Sequence, residues 1–178
     1  MNEFESFQKI ARLSRECVIT EKIDGTNACI MITEDEQFLT GSRTRWITPE
    51  DDNFGFSRWA HESKDELMRL GIGRHFGEWW GSGIQRKYGL DHKRFSLFNT
   101  HKWGDSSVRP ACCHVVPILA QGIFDTALAL SALESLRERG SVASPGFMNP
   151  EGIVIFHTQG NILFKKTLHK DDEWKGKS

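Results

Sequence analysis

A single lysine followed two residues later by a carboxylate and then a glycine, Lys22-Ile23-Asp24-Gly25, sits between two apolar runs, Cys17-Val18-Ile19 and Ala28-Cys29-Ile30-Met31-Ile32. Runs of that length and β-branched content read as buried strands, so the lysine falls at a strand end or turn. A nucleophilic amine belongs in such a place. A free lysine has a pKa of about 10.4, and covalent work at neutral pH needs burial or cationic neighbours to bring it towards about 7–8. Gly25 allows the close backbone approach that suits a phosphate-bearing ligand. The same four residues also suit a hairpin turn with a solvated lysine.

A second carboxylate lies in an aromatic setting, Gly77-Glu78-Trp79-Trp80-Gly81, where burial is costly unless Glu78 has a partner such as a ribose hydroxyl. Trp79 and Trp80 themselves read as core wedges. Glu151-Gly152 stands at the mouth of the apolar run Ile153-Val154-Ile155, and Lys165-Lys166 follows Ile162-Leu163-Phe164, read as a buried strand. Between the first two groups, alternation sets Arg43 and Arg45 on one face of a strand end, suited to an anion or to a charged, solvated edge. Arg86, Lys87, His92, Lys93 and Arg94 form a basic cluster, either a solvated face or a holder of polynucleotide phosphates.

The elements that must position these groups follow from pattern. Residues 4–13, with Phe4, Phe7, Ile10 and Leu13 at threes, predict a short amphipathic helix or turn against the first strand. Residues 16–41 predict strands with Glu34-Asp35-Glu36 as a turn, a hairpin with Lys22 at its entrance. Residues 57–70 predict a helix capped by Ser57 and ended by Gly71. Residues 94–99 alternate as a strand, 115–123, which include Pro117, form a strand or its edge, and 124–139 form a helix capped by Asp125 or Thr126 and stopped by Gly140, with Leu128, Ala132, Leu133 and Leu136 buried. The terminal residues 170–178 read as a charged, solvated tail.

Length and composition exclude several classes. The 178 residues suit one domain, and 38% hydrophobic with 26% charged residues is ordinary for a soluble globular chain. With Lys+Arg 23 against Asp+Glu 24, the net charge of −1 argues against a generic polycation. Cysteines at 17, 29, 112 and 113 lack zinc spacing and suit reduced thiols in a cytoplasmic protein. No signal peptide or membrane span is visible.

Taken in order, Lys22-Ile23-Asp24-Gly25-Thr26-Asn27, Arg43, Gly77-Glu78-Trp79, Glu151-Gly152 and Lys165-Lys166 resemble the motif series of the covalent nucleotidyltransferases. Thr26-Asn27 and the Trp-rich third segment bring the resemblance nearest to the ATP-dependent RNA ligases. The resemblance implies an α+β nucleotidyltransferase (adenylation) domain of two mainly antiparallel sheets flanked by helices. Ligases of this kind usually carry a further domain after the last motif, whereas residues 1–178 are expected to form the single nucleotidyltransferase domain with no C-terminal accessory domain. It implies that Lys22 forms a lysyl-AMP intermediate from ATP, which passes to an RNA 5′-phosphate end and is displaced by a 3′-hydroxyl. It assigns nucleotide contacts to Glu21, Asp24, Gly25, Asn27, Arg43, Glu78 (ribose) and Phe98 (adenine). Lys165 falls to the α-phosphate, with Lys166 beside it, and Glu151 to magnesium or manganese. Where the family commonly has Lys-x-Lys, this chain has Lys165-Lys166-Thr167. Arg86, Lys87, Lys93 and Arg94 are the candidate RNA face. DNA ligation, GTP-dependent capping chemistry and a binding module without turnover remain the alternatives.

Overall fold

The computed structural model describes residues 3–169. Strand β1 (Glu16–Lys22) alternates between two faces, burying Cys17, Ile19 and Glu21 on one and leaving Val18, Thr20 and Lys22 partly open on the other. Strands β2 (Thr26–Ile32) and β3 (Phe38–Gly41) form the expected hairpin through the acidic turn, followed by the short β4 (Trp46–Ile47). Lys22 does not share that hairpin, because β1 belongs to a different sheet. The chain crosses between sheets at Ile23-Asp24-Gly25. A side chain on Gly25 would collide with the Trp79 carbonyl and lie 2.7 Å from Trp80 Cβ, so only glycine lets the crossing pass so close to the next sheet.

Helices α1 (Phe56–Glu62) and α2 (Lys64–Leu67) and a 3₁₀ turn (Met68–Leu70) replace the single helix expected over 57–70. Ser57 is no cap: its hydroxyl is buried 2.7 Å from that of Thr40, while the Asp52 carboxylate accepts from the Ser57 and Arg58 amides at 2.7 and 3.0 Å. Gly71, at φ 79°, ends the segment as expected. Strands β5 (Gly73–Gly81) and β6 (Lys93–Leu97), the short helix α3 (Thr100–Trp103) and strand β7 (Cys113–Val115) follow.

Strand β8 (Ile118–Ile123) lies in the other sheet, so the run expected as one strand over 115–123 is two. Pro117 has no amide to donate to a ladder. The Val116 amide still bonds the Leu97 carbonyl of one sheet at 3.1 Å, while the Pro117 carbonyl accepts from the Glu21 amide of the other at 3.0 Å. Helix α4 (Thr126–Arg139) matches its pattern: Asp125 caps it through the Leu128 amide at 3.0 Å, and Gly140 stops it. Of the expected stripe, Ala132, Leu133 and Leu136 pack with Ala129 on Cys17, Ile19, Ile153 and Ile155, while Leu128 is only partly buried. Strands β9 (Gly152–His157) and β10 (Ile162–Thr167) complete the fold.

The first sheet has the order β10-β9-β1-β8 and the second β4-β3-β2-β5-β6-β7. Every pairing is antiparallel except β6 with β7, so the expected α+β fold of two mainly antiparallel sheets with flanking helices is observed. One core lies between the second sheet and α1–α2, another between the first sheet and α4. A third, of Ile23, Trp80, Tyr88 and Val116, ties the sheets together at the two crossings. Residues 4–13 form no helix: Phe4, Phe7 and Ile10 are 86%, 96% and 96% exposed. A helix of that length has no stability without a surface to bury its apolar stripe. Strand β10, last in the order of its sheet among the described residues, is largely exposed and not buried as expected. The four cysteines are free thiols, and no helix among the described residues is long and apolar enough to cross a membrane. The tail from residue 170 lies outside the described residues.

Candidate active site

Lys22 ends β1 and pairs with Gly152, the first residue of β9. That register sets Glu151, one residue earlier, beside the amine: Lys22 Nζ lies 2.5 Å from Glu151 Oε1, with the two side chains only 23% and 17% exposed. The other oxygen, Glu151 Oε2, is buried and has no hydrogen-bond partner among the described residues. An unsatisfied buried acceptor of this kind costs about 1–3 kcal/mol, more when charged, and so marks a place for a donor or cation. Among the described residues no group of three or more His, Cys, Asp or Glu side chains is arranged to hold a metal. A divalent ion here would take one or two carboxylate oxygens and complete its shell with water and phosphate, as magnesium commonly does.

Glu78 enters from β5, in register with Asn27 of β2. It is 8% exposed. The Gly25 amide donates to its Oε1 at 3.0 Å and the Asn27 side-chain amide to its Oε2 at 3.2 Å. Burial pushes its pKa up to about 7; the charges of Glu151 and Asp24 add to the rise, while the Gly25 amide and the Lys22 ammonium oppose it. Asp24 is held in turn, its carboxylate accepting from Arg86 Nε at 2.8 Å and its amide donating to the Tyr88 hydroxyl at 2.8 Å. Arg86 also bonds the Asn149 side chain at 3.1 Å. A clamp of Arg86 and Tyr88 therefore joins the lysine loop to the segment that delivers Glu151. Sequence reading missed this clamp, since Arg86 stood there only as a member of a basic cluster and Tyr88 was given no role.

Strand register sorts the remaining candidates. Directly paired residues share a face. Thr167, Gly152 and Lys22 form one row, and Lys165, Val154 and Thr20 form the next row on that face. Lys165 therefore faces the same side as Lys22, roughly 12 Å away between Cα atoms from strand spacing and rise. Lys166 pairs with Ile153 and lies on the opposite, α4 face with Glu21. Glu21 does not face the site: it is 1% exposed, and its carboxylate accepts from Ser141 Oγ at 2.6 Å and from the Val142 and Ala143 amides at 2.8 and 2.9 Å. Its side chain is committed to the loop after α4.

Arg43 sits exposed in the turn joining β3 to β4, closed by the Ser42 amide on the Arg45 carbonyl, and not on a strand face. Arg45 in that turn is bidentate to Asp51. On β6, Phe95 and Leu97 enter the core, whereas Ser96 faces the other way and accepts from Trp80 Nε1 at 2.9 Å. Phe98 continues on the Ser96 side, its amide on the Phe76 carbonyl at 2.9 Å, and its ring is exposed on the face that carries Glu78. The basic cluster divides. Arg86 is tied to Asp24, Arg94 lies 5.7 Å from the Trp80 ring centroid on the Glu78 face, Lys87 is exposed, and Lys93 bonds the Phe54 carbonyl on the other side of the sheet.

The model of the family described as RNA ligase matches residues 15–169. No curated protein gives a significant match. Among solved structures, a variant of the Naegleria gruberi RNA ligase with AMP and manganese superposes with a TM-score of 0.64 at 16% identity, over 87% of this chain and 50% of that chain. An apo variant of N. gruberi RNA ligase R4a gives 0.63 at 19% identity, over 86% and 50%. Another variant, with ATP and manganese, gives 0.61 at 17% identity, over 86% and 49%. The chain thus spans about half the length of these solved relatives, with their fold. Since the matched segment runs from the start of β1 past β10 and takes in Lys22, Glu78, Glu151 and Lys165, the chain belongs to the RNA ligase family.

Proposed function

We propose that the chain carries out ATP-dependent RNA ligation, with Lys22 as the nucleophile that forms lysyl-AMP. The observation that carries this is the pairing of Lys22 Nζ with a carboxylate whose second oxygen is buried and unpartnered. An ammonium has no lone pair, so Lys22 must lose a proton before it attacks the α-phosphorus of ATP. Glu151 Oε1 is the acceptor in contact with it. The nitrogen lone pair then forms the P–N bond as the bond to pyrophosphate breaks and that leaving group takes the electron pair.

The surrounding residues suit the other parts of the nucleotide. Glu78 offers a buried acceptor to a ribose hydroxyl, Phe98 an exposed ring for adenine, and Lys165 a cation on the nucleophile's face. The structure gives Lys166 and the Glu21 side chain positions behind that face, so their proposed contacts are indirect. Glu151 is the residue that would hold a divalent cation, magnesium or manganese, whose charge offsets that of the phosphoryl oxygens. Transfer of AMP to a 5′-phosphate end and its displacement by a 3′-hydroxyl are the later steps of the same proposal. The solved relatives with AMP and manganese and with ATP and manganese support nucleotide and divalent-ion use.

The test is incubation with a divalent cation and ATP labelled at the α-phosphate, beside Lys22→Ala. Label that survives denaturation, is released by acid and is lost on adding pyrophosphate is expected on the wild type only. ATP binding without any covalent label would leave a nucleotide-binding module and remove the ligase proposal.

A further inference from the structure

Lys93 lines a groove of about 480 Å³ on the α1 side of the second sheet, away from Glu78. Arg58, Trp59 and Glu62 of α1 form one wall, and Asp91, His92 and Lys93 the other. Trp59 is half-buried, leaning on Trp79 with ring centroids 4.9 Å apart, so its indole is rigidly backed while part of it stays open. Asn53 and Phe54 border the groove on the same side of the sheet. Asn53 Nδ2 bonds the hydroxyl of Thr26, the first residue of the strand bearing Asn27, at 3.0 Å. The Phe54 carbonyl accepts from Lys93 Nζ at 2.7 Å and from Trp79 Nε1 at 3.1 Å, which holds Phe54 at the left-handed φ of 52°.

The lining is mixed in a specific way. A site for a bare polyanion would not include Glu62 and Asp91, and a site for an apolar ligand would not include Arg58 and Lys93. A nucleotide unit uses all of these: a flat base for the indole face, phosphates for the two cations, and amino or hydroxyl donors for the carboxylates. We infer that this groove binds a nucleotide of single-stranded RNA beyond the reacting end, with its base against Trp59 and its phosphates between Arg58 and Lys93. The inference rests on the RNA ligase proposal. The strand would run from the Lys22 site round the end of the second sheet, where β2 and β6 begin and β5 ends.

The experiment uses the whole chain and 5′-phosphorylated oligouridylates of about four and about twelve nucleotides, lengths that bracket ordinary single-strand site sizes. The longer oligomer is expected to bind more tightly. Arg58→Glu, a surface change, is expected to cost about tenfold in affinity for the longer one and to leave the shorter one unchanged. With 5-iodouridine placed at each position of the longer oligomer in turn, irradiation of the wild type is expected to mark the α1 peptide containing Trp59 at an internal position. A gain with length that survives Arg58→Glu, with photoadducts confined to the Glu78 face, overturns the groove while leaving the ligase proposal standing. Failure of the wild type to bind either oligomer overturns both.

Discussion

Glu21 and Glu78 are both carboxylates buried on strands, and burial raises the pKa of each, yet they sit in opposite kinds of surroundings. Behind β1, Glu21 receives three protein donors, from Ser141, Val142 and Ala143, and joins the strand to the loop that follows α4. In the cleft, Glu78 receives two, from Gly25 and Asn27, and has Glu151 and Asp24 as unfavourable neighbours. A buried carboxylate whose acceptor capacity the protein fills is a structural joint. One left short of donors among like charges is poised for a ligand that brings donors or positive charge.

Glu21→Ala should give the largest effect on folding. Three donors would lose their acceptor, at about 3 kcal/mol or more. For a chain of this size that is roughly a 10 °C fall in melting temperature, read by calorimetry. A fall within a degree or two would mean that water replaces the carboxylate and that Glu21 is no joint.

Glu78→Gln should act through pH instead. Folding raises the Glu78 pKa from 4.5 to about 7, so the folded chain holds this proton more tightly than the unfolded one. The stabilisation that follows is fully present below about pH 4.5 and is lost as pH rises to about 7, a change of up to about 3 kcal/mol. Urea unfolding at pH 5 and pH 8 should show Glu78→Gln with a smaller decline than the wild type. Saturating ATP should flatten the wild-type decline further, because a ribose hydroxyl donating to the carboxylate favours its charged form. Equal declines in both proteins, with and without nucleotide, would remove the contrast with Glu21.

Gly25→Ala sharpens the same comparison more gently. The added methyl meets Trp80 Cβ at 2.7 Å and Glu78 Cγ at 3.1 Å, so the loop must shift and the Gly25–Glu78 bond must lengthen. A loss of about 1–3 kcal/mol in stability is expected. It should come with weaker ATP binding by titration calorimetry, and unchanged affinity would separate the glycine from the ribose contact proposed for Glu78.

Much of this was legible in one dimension because the relevant forces are local. Asp125 with a Leu- and Ala-rich stripe and Gly140 specified α4, and the hairpin of β2 and β3 followed from apolar runs around an acidic turn. The motif residues Lys22, Glu78, Glu151 and Lys165 were singled out by type and flanking pattern, and they come to facing or shared surfaces. The helix expected at residues 4–13 failed because its apolar stripe is exposed, and the helix expected over 57–70 is divided at Ser63 and Met68, with its first amides held by Asp52.

Sequence by itself therefore determined the segments, their periodicity and the kinds of chemistry available at their ends. Tertiary structure decided which of two neighbouring residues faces the side that carries Lys22 and Glu151. Alternation says that Glu21 and Lys22, or Lys165 and Lys166, lie on opposite faces. It does not say which face receives α4 and which the cleft. That assignment comes from the long-range pairing of β1 with β9 and of β9 with β10, and from the crossings at Gly25 and Pro117 that send adjacent strands to different sheets. The Arg86–Asp24 pair, 62 residues apart in the chain, belongs to the same class: contacts between distant segments leave no periodic trace in either one.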